Sequence, residues 1–441
     1  MAIAKLFDGK LTAKSGRAMP KYYIWTIGCQ MNKAESQRVA DYLEVLGYQA
    51  TNTLQSADLV VLNTCVVRQS AENKVLGMLG YLNGVKDDRV NFSVLVTGCF
   101  VDSDINQLEK KFSQVDLFFK PGDYVELLQW AKEQGINPLD DLTSLSSKEN
   151  VAVSVFVTVI RGCNNFCSYC IVPYRRGIEC SRPMEEVVCE VTELVRSGVK
   201  EVTLLGQNVN SYGHDLMSQP GLGDLLTRIN CVDGLSRIRF LTSHPKDMSK
   251  KLIQDIASLD KVCEHINLPL QSGDNDLLRA MRRGYTVEQY RQIIDIIRCH
   301  IHGVALSTDV IVGFPNESDK QFEGTLAMLE ETRFDTVHVA TYSPRSGTVA
   351  ASEYEDNVPL DTKKERLNRV ETLQARIVGD LNSRLKDKVV EILVEGNKGG
   401  KWYGRTRSNK LVFFESRVDC LGQLIDVTIT KTSPWSLQAR L

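Results

Sequence analysis

The sequence predicts an α/β protein in three parts: an N-terminal domain with a parallel sheet, a central barrel or open partial barrel of about six βα units, and a small C-terminal β-barrel. Three observations carry this. Continuous apolar runs alternate with helical spacings from about Tyr22 to Gln134, and again from Val151 to about Asp380, as in parallel strands covered on both faces. From Lys388 to Leu441 the pattern changes to short β runs between Gly-rich turns, the mark of a small barrel. Between the first two parts, Gly135 to Asn150 is polar and holds Pro138, Asp140 and Asp141, which reads as a linker. The expected domains are 20–137, 149–380 and 382–441.

In the first domain, Tyr22–Ile27 is a β-rich run ending in Gly28-Cys29, and Ala34–Leu46 has helical spacing stopped by Gly47. Asp58–Leu62 is a second buried strand ending in Asn63-Thr64-Cys65. Ser93–Val96 is a third, ending in Thr97-Gly98-Cys99, and Asp123–Gln134 is a closing helix. Cys29, Cys65 and Cys99 therefore each stand just past the carboxyl end of a predicted strand, the edge at which open parallel sheets bind ligands. Three converging thiolates suit an iron–sulfur cluster with one open iron; the alternative is three ordinary buried cysteines.

In the second domain, Val151–Ile160 leads straight into Arg161-Gly162-Cys163-Asn164-Asn165-Phe166-Cys167-Ser168-Tyr169-Cys170. Cysteines at spacings of four and three can hold three corners of a cubane, where four thiolates are the rule. The fourth iron is then free to bind and reduce a substrate. Zinc is the alternative, but it needs a second hook or histidines. None of the six histidines lies within forty residues of Cys163. Later strands are expected at 201–205, 237–241, 265–268, 305–312 and 336–339, with helices such as Met184–Ser197 and Val287–Arg298 between them and a long charged helix over Asp361–Asp387. Gln271 and Ser272 follow one of these strands. Arg175, Arg176 and Arg182 are candidates to meet a phosphate or carboxylate. His300 and His302 beside Cys299 lack a fourth ligand and are not taken as a metal site.

The last domain holds eleven Lys and Arg against six Asp and Glu over 382–441, a formal +5, while the whole chain is −2. Lys401-Trp402-Tyr403-Gly404-Arg405-Thr406-Arg407 interleaves cations with aromatics, as suits RNA, where cations meet phosphates and rings stack on bases. A merely basic, soluble domain is the alternative. Lys401, Trp402, Arg405, Arg407 and Lys410 are the candidate RNA contacts.

The composition is that of a soluble globular protein, 43% hydrophobic and 24% charged over 441 residues. No apolar run reaches the ~20 residues of a membrane span. Met1–Met19 has no apolar core of a signal peptide and reads as a partly disordered lead-in. Twelve cysteines without an export signal point to a reducing compartment, the cytoplasm, and to metal ligation rather than disulfides. A monomer is expected.

Together these parts resemble the methylthiotransferase branch of the radical S-adenosylmethionine (SAM) enzymes, over nearly the whole chain from about Tyr22. The resemblance rests on the cysteine run with Tyr169 before its last member, on the three N-terminal cysteines, and on Leu204–Gly213, Thr242-Ser243-His244-Pro245 and Gly404–Lys410. It implies a radical SAM core and a C-terminal TRAM RNA-binding barrel. It also implies two 4Fe-4S clusters, an auxiliary one on Cys29, Cys65 and Cys99 and a SAM-cleaving one on the catalytic Cys163, Cys167 and Cys170. Two SAM molecules would be used per turnover, one to methylate a sulfur and one to yield a radical that takes hydrogen from the substrate. The implied substrate is N6-dimethylallyl (isopentenyl) adenosine in the tRNA anticodon stem-loop. Other branches act on threonylcarbamoyl adenosine or on a ribosomal protein aspartate, and a non-catalytic RNA-binding iron–sulfur sensor is a further alternative. An electron donor such as flavodoxin or ferredoxin is implied. SAM contacts fall on Tyr169, Gly206, Gln207, Gln271, Ser272, Ile311 and Gly313. Two departures stand out. Gly206-Gln207-Asn208 replaces a Gly-Gly-Glu-like turn, so a carboxylate contact there is not assured. The G-x-I-x-G-x-x-E pattern is partial, with Asp309 for its first glycine and Asn316 for its glutamate, Glu317 coming one place later.

Overall fold

The computed structural model describes residues 19–89, 91–101, 104–136 and 152–441. The lead-in up to residue 18 and the linker from residue 137 lie outside the described residues. The chain forms two compact units, Met1–Asn150 with Tyr174–Gly177, and Val151–Pro173 with Ile178–Leu441.

The first unit is built on five parallel strands, β1 (Lys21–Thr26), β2 (Gln49–Ala50), β3 (Leu59–Thr64), β4 (Ser93–Gly98) and β5 (Leu117–Phe118), in the order β2-β1-β3-β4-β5. Neighbouring strand residues point to opposite faces, and all six residues of β3 are buried, so the sheet is covered on both sides. On one face Leu59, Val61 and Leu95 pack with Val39 and Leu43 of helix Gln30–Val45 and Leu127 and Leu128 of helix Tyr124–Glu133. Helix Gln69–Asp88 buries Val75, Leu79 and Leu82. Strand order reverses between β1 and β3, which makes their carboxyl ends a topological switch point.

The second unit opens with β6 (Ser154–Thr158) and β7 (Ile160–Arg161), which pairs with the short β8 (Cys180–Ser181). Then come β9 (Glu201–Leu205), β10 (Arg237–Leu241), β11 (His265–Asn267), β12 (Ala305–Val312) and β13 (Thr336–Thr341). They form two parallel three-stranded sheets, β10-β9-β6 and β11-β12-β13, joined by a parallel bridge from Ile238 to Val262. The result is a six-stranded partial barrel with helices between successive strands. A buried hydrophobic layer between the strands and their helices runs from Val157, Val202 and Leu204 through Ile238 and Phe240 to Ile266, Leu306 and Val310.

The C-terminal part is a closed barrel of β14 (Val389–Lys398), β15 (Lys401–Thr406), β16 (Leu411–Phe414), β17 (Leu424–Thr432) and β18 (Leu437–Arg440), in the order β14-β15-β16-β18-β17. Ile392, Val394, Val412, Phe414, Val427, Ile429 and Leu437 fill it. It docks against the amino ends of the central strands, the end opposite the cysteine loop. Arg239 pairs with Glu201 at 3.0 Å, both almost fully buried, and donates to the carbonyls of Thr406 and Arg407 at 2.8 and 2.7 Å. Arg237 pairs with Glu391 at 2.9 Å and donates to the carbonyl of Arg405 at 2.6 Å.

Removing one partner of such a buried pair leaves the other charge uncompensated. Arg239→Ala is expected to cost about 3–5 kcal/mol of stability, seen as a lowered unfolding midpoint; a loss under 1 kcal/mol would mean the pair does not hold the barrel in place.

Candidate functional site

In the first unit the strand-end cysteines sit where a backbone and amide network fixes them. Cys29 caps helix Gln30–Val45, and its amide and Sγ lie 3.3 and 3.4 Å from Asn32 Oδ1. Fully buried Asn32 donates from Nδ2 to Asn63 Oδ1 at 2.8 Å and to the carbonyl of Thr64 at 2.9 Å, while Asn63 Nδ2 returns a bond to the carbonyl of Asn32 at 2.7 Å. The ends of β1 and β3 are thus tied by two asparagines. The amide of Cys99 donates to the carbonyl of Thr64 at 2.9 Å, tying β4 to β3. Gly28 and Gly98 precede two of the cysteines with φ of 133° and 95°, backbone that side chains disfavour. A Cβ on Gly98 would stand 2.3 Å from the carbonyl oxygen of Thr64.

Arg176, near the end of helix Val172–Arg176, belongs to this first unit and was expected to meet phosphate or carboxylate from outside. It instead forms a buried forked pair with Glu35 and donates from Nε to Cys99 Sγ at 3.2 Å. Arg182 is likewise engaged, with Glu190 at 2.6 Å and the carbonyl of Thr158 at 3.0 Å.

In the second unit the cysteine loop follows β7. Cys163 and Cys167 are buried, and the amide of Cys170 donates to the carbonyl of Cys167 at 3.0 Å. The loop is held to the barrel by Ser168, whose amide and Oγ donate to the carbonyls of Met281 and Ala280 at 3.0 and 2.7 Å. Arg283 reaches Cys167 Sγ from Nη1 at 3.2 Å and the Tyr169 hydroxyl at 3.4 Å.

Both thiol sets suit a cluster. Burial pushes Cys65 up to about 11 and Cys170 up to about 12, with neighbouring thiols adding to each, and raises Cys99 and Cys163 as well. Such thiols keep their protons unless a metal replaces them. Zinc at about 2.3 Å from each sulfur would require ligands drawn close around one ion. Among the described residues no three His, Cys, Asp or Glu converge in that way. A cubane takes one thiolate on each of its irons, and three cysteines in each set leave one iron without a protein ligand.

The carboxyl ends of the barrel strands carry buried polar atoms with no partner among the described residues: Gln207 Oε1 after β9, Ser243 Oγ and His244 Nε2 after β10, Gln271 Oε1 after β11 and Tyr342 OH after β13. Buried polar atoms are normally satisfied, so this rim fits a polar ligand such as SAM. Thr242 and Gln271 hold left-handed backbone there, φ 68° and 69°, strain of the kind that gathers at functional sites. Gln271 pairs with β12, its amide donating to the carbonyl of Asp309 at 2.8 Å and its carbonyl accepting from Ile311 at 3.0 Å. Gln271 and Ile311 are therefore brought together. Ser272 is fully buried but turns back to accept from the amide of Asp274 at 3.2 Å. Tyr169 and Ile311 pack against one apolar cluster around Phe314 and Tyr342. Gly206 lies so close to β7 that a Cβ would meet Ile160 Cγ2 at 2.5 Å.

Glu317, one place after the pattern's glutamate position, reaches back to the turn after β12. Asn316 adopts left-handed backbone, φ 64°, and Glu317 accepts from the amide of Gly313 at 2.5 Å while pairing with Arg366 at 2.8 Å.

At the C-terminal barrel the structure differs from the expected RNA surface. Arg407 pairs with Glu264 at 2.8 Å and Lys410 with Asp335 at 2.7 Å, both acids lying on the central domain. Arg405 is 3.5 Å from Glu395. Lys401 remains exposed beside Glu415, and Trp402 packs partly on the barrel core. Trp435, which the sequence reading passed over, is 68% exposed on the turn before β18. Asn382 Nδ2 holds that turn through the carbonyls of Ser433 and Pro434 at 2.8 and 3.3 Å.

Two predictions follow from this geometry. Gly98→Ala should cost the protein about half its reconstituted iron, the four atoms of one cubane; full iron content would show that the Cys99 turn tolerates the clash. His244 and His265 are both buried, which lowers their pKa to about 2 and about 3. Both are then neutral when folded and protonated below about 6.5 when unfolded, so stability falls as pH drops from about 6.5 towards 3. Between pH 7 and 5.5 each should cost about 1 kcal/mol, and His265→Asn should flatten that slope in urea titrations at the two pH values.

Three family models match the chain: the Radical SAM superfamily over residues 157–329, Uncharacterized protein family UPF0004 over 21–120, and the TRAM domain over 384–441. Among solved structures, the chain is similar to the radical S-adenosylmethionine methyltransferase TsrM from Kitasatospora setae, at TM-score 0.55 and 13% identity, covering 76% of this chain and 77% of that one. The cobalamin-dependent S-adenosylmethionine radical enzyme OxsB matches at TM-score 0.51 and 11% identity, over 81% of this chain and 56% of that one. These likenesses concern the fold alone. Curated relatives named tRNA-2-methylthio-N(6)-dimethylallyladenosine synthase are 49% identical in Dehalococcoides mccartyi, over 96% of this chain and 99% of the relative, and 43% identical in Herpetosiphon aurantiacus, over 96% and 97%. With shared sequence running through all three parts, the chain belongs to the tRNA-2-methylthio-N(6)-dimethylallyladenosine synthase family.

Proposed function

We propose that this protein transfers a methylthio group from SAM-dependent chemistry to C2 of N6-dimethylallyl (isopentenyl) adenosine next to the anticodon of tRNA. The observation that carries the reading is the pair of three-cysteine sets, each at parallel-strand carboxyl ends and each leaving one cluster corner without a thiolate. When bound, the two clusters supply the electron that cleaves SAM and the sulfur that is transferred, chemistry an unactivated adenine C–H bond needs and side chains lack.

The protein's own residues bind, orient and exclude water. Cys163, Cys167 and Cys170 hold one cluster and Cys29, Cys65 and Cys99 the other. Tyr169, Ile311 and Gly313 form an apolar bed for the adenine of SAM, and Gln207 and Gln271 offer acceptors to its polar groups; Gly206 lets that turn approach. Ser272 sets the turn behind Gln271. His244 accepts the amide of Lys246 at Nδ1, 3.2 Å away, so its proton rests on Nε2 as a neutral donor at the barrel rim. Lys401, Trp402 and Trp435 face RNA, while Arg407 and Lys410 serve by holding the barrel in place and Arg405 pairs with Glu395 within it. The electron comes from a flavodoxin or ferredoxin, and the protein works as a cytoplasmic monomer.

Undermodified tRNA, incubated without oxygen with reconstituted protein, SAM and reductant, should gain methylthio-dimethylallyladenosine in nucleoside mass spectra. Cys163→Ala should yield neither that product nor 5′-deoxyadenosine, and Cys65→Ala should yield 5′-deoxyadenosine alone. If the native protein makes 5′-deoxyadenosine but leaves this nucleoside unchanged, the substrate assignment fails. Trp435→Ala should weaken tRNA binding by about 1 kcal/mol or more, the contribution of one stacked base; unchanged affinity would remove it from the interface.

A further inference from the structure

A buried cation needs a counter-charge. Arg176, Arg237, Arg239 and Arg366 are all buried guanidinium groups in this chain, and each pairs with a carboxylate. Arg283 pairs with none. It is 5% exposed, and its hydrogen-bond partners are Cys167 Sγ and the Tyr169 hydroxyl from Nη1, the Tyr285 hydroxyl from Nε at 3.1 Å, and the carbonyl of Pro269 from Nη2 at 3.4 Å. It also lies over the Tyr285 ring, 5.4 Å from its centre. Among the described residues no carboxylate pairs with it.

An arginine keeps its proton inside a protein, and an isolated buried charge is heavily penalised. A tyrosine hydroxyl is uncharged at neutral pH. The carbonyl is neutral as well. Cys167 is the one partner that can carry a full negative charge, as a metal-bound thiolate.

We infer that Arg283 is the counter-ion of the cluster held by Cys163, Cys167 and Cys170, a positioning residue that both stabilises the loaded site and sets its reduction potential through the bond to Cys167. This rests on reading those three cysteines as cluster ligands. Hydrogen bonds to cluster sulfurs and net charge are what tune such potentials. Reduction adds an electron, so removing a neighbouring positive charge makes it harder. Arg176 makes a matching 3.2 Å bond to Cys99, but Glu35 already neutralises it. The two clusters therefore sit in different fields.

The test uses the full chain carrying Cys29→Ala, Cys65→Ala and Cys99→Ala, so that only one cluster remains. Thermal midpoints are measured before and after iron–sulfur reconstitution, and the potential by titration followed by electron paramagnetic resonance. With Arg283→Gln we expect an apo-protein at least as stable as the parent, a smaller rise in midpoint on loading, and a more negative potential. Arg283→Lys loses the fork to Tyr285 and Pro269 but keeps the charge, and should hold the potential near the parent's. The inference is overturned if Arg283→Gln leaves the potential unchanged, if its apo form loses as much stability as its loaded form, or if Arg283→Lys shifts the potential as far as Arg283→Gln does. A parent that binds no iron at all would instead remove the cluster reading beneath it.

Discussion

Parallel strands end on the same edge, and both reactive regions of this protein are built on that constraint. In the first unit β1, β3 and β4 are neighbours, so Cys29, Cys65 and Cys99 reach one edge although they are thirty-six and thirty-four residues apart. In the second, six strands deliver the cysteine loop, the Gln207 turn, Thr242–His244, Gln271 and Gly313 to one rim. The opposite, amino end of those strands is given over to holding the C-terminal barrel. Chemistry and assembly are thereby kept at separate ends of the same sheet, as in other βα barrels.

Electrostatics at the two cysteine sets follows from burial. Thiols pressed into apolar surroundings resist ionising, which makes them inert until a metal takes the proton's place. The guanidinium groups beside Cys99 and Cys167 act in the other direction, favouring sulfur in its charged form. Glu35 offsets the first and no carboxylate among the described residues offsets the second, so equal hydrogen-bond lengths conceal unequal fields.

Much of this was legible in the sequence because the signals are local. The Cys163–Cys170 spacing lies within eight residues, and each N-terminal cysteine directly follows an apolar run. The strands and helices that were expected fell within a few residues of those found, but the two-residue strands β2, β5 and β8 went unread, as did β15 and β18, where Gly404 and the polar Gln438 break the β pattern, and helix Gln69–Asp88, which carries three glycines. What was not legible depends on distant partners. Arg407 and Lys410 look like RNA contacts until Glu264 and Asp335, 143 and 75 residues away, are seen to pair with them. Arg283 is 116 residues from Cys167, and nothing in its neighbours along the chain distinguishes it from a surface arginine. The left-handed turns at Thr242 and Gln271 fall on residue types that rarely adopt that backbone, so propensity argued against them.

The paired cations of the barrel carry one more implication. Nucleic-acid affinity owes much of its salt dependence to ions released when cations neutralise phosphates. At Arg407 and Lys410 the protein's own carboxylates already occupy the place a phosphate would take, so an arriving RNA would exchange one anion for another and set few ions free. The formal +5 of this segment therefore overstates its reach as an electrostatic magnet. Recognition of tRNA by this barrel should depend more on shape and stacking than on charge, and survive at ionic strengths that strip away a simple basic patch.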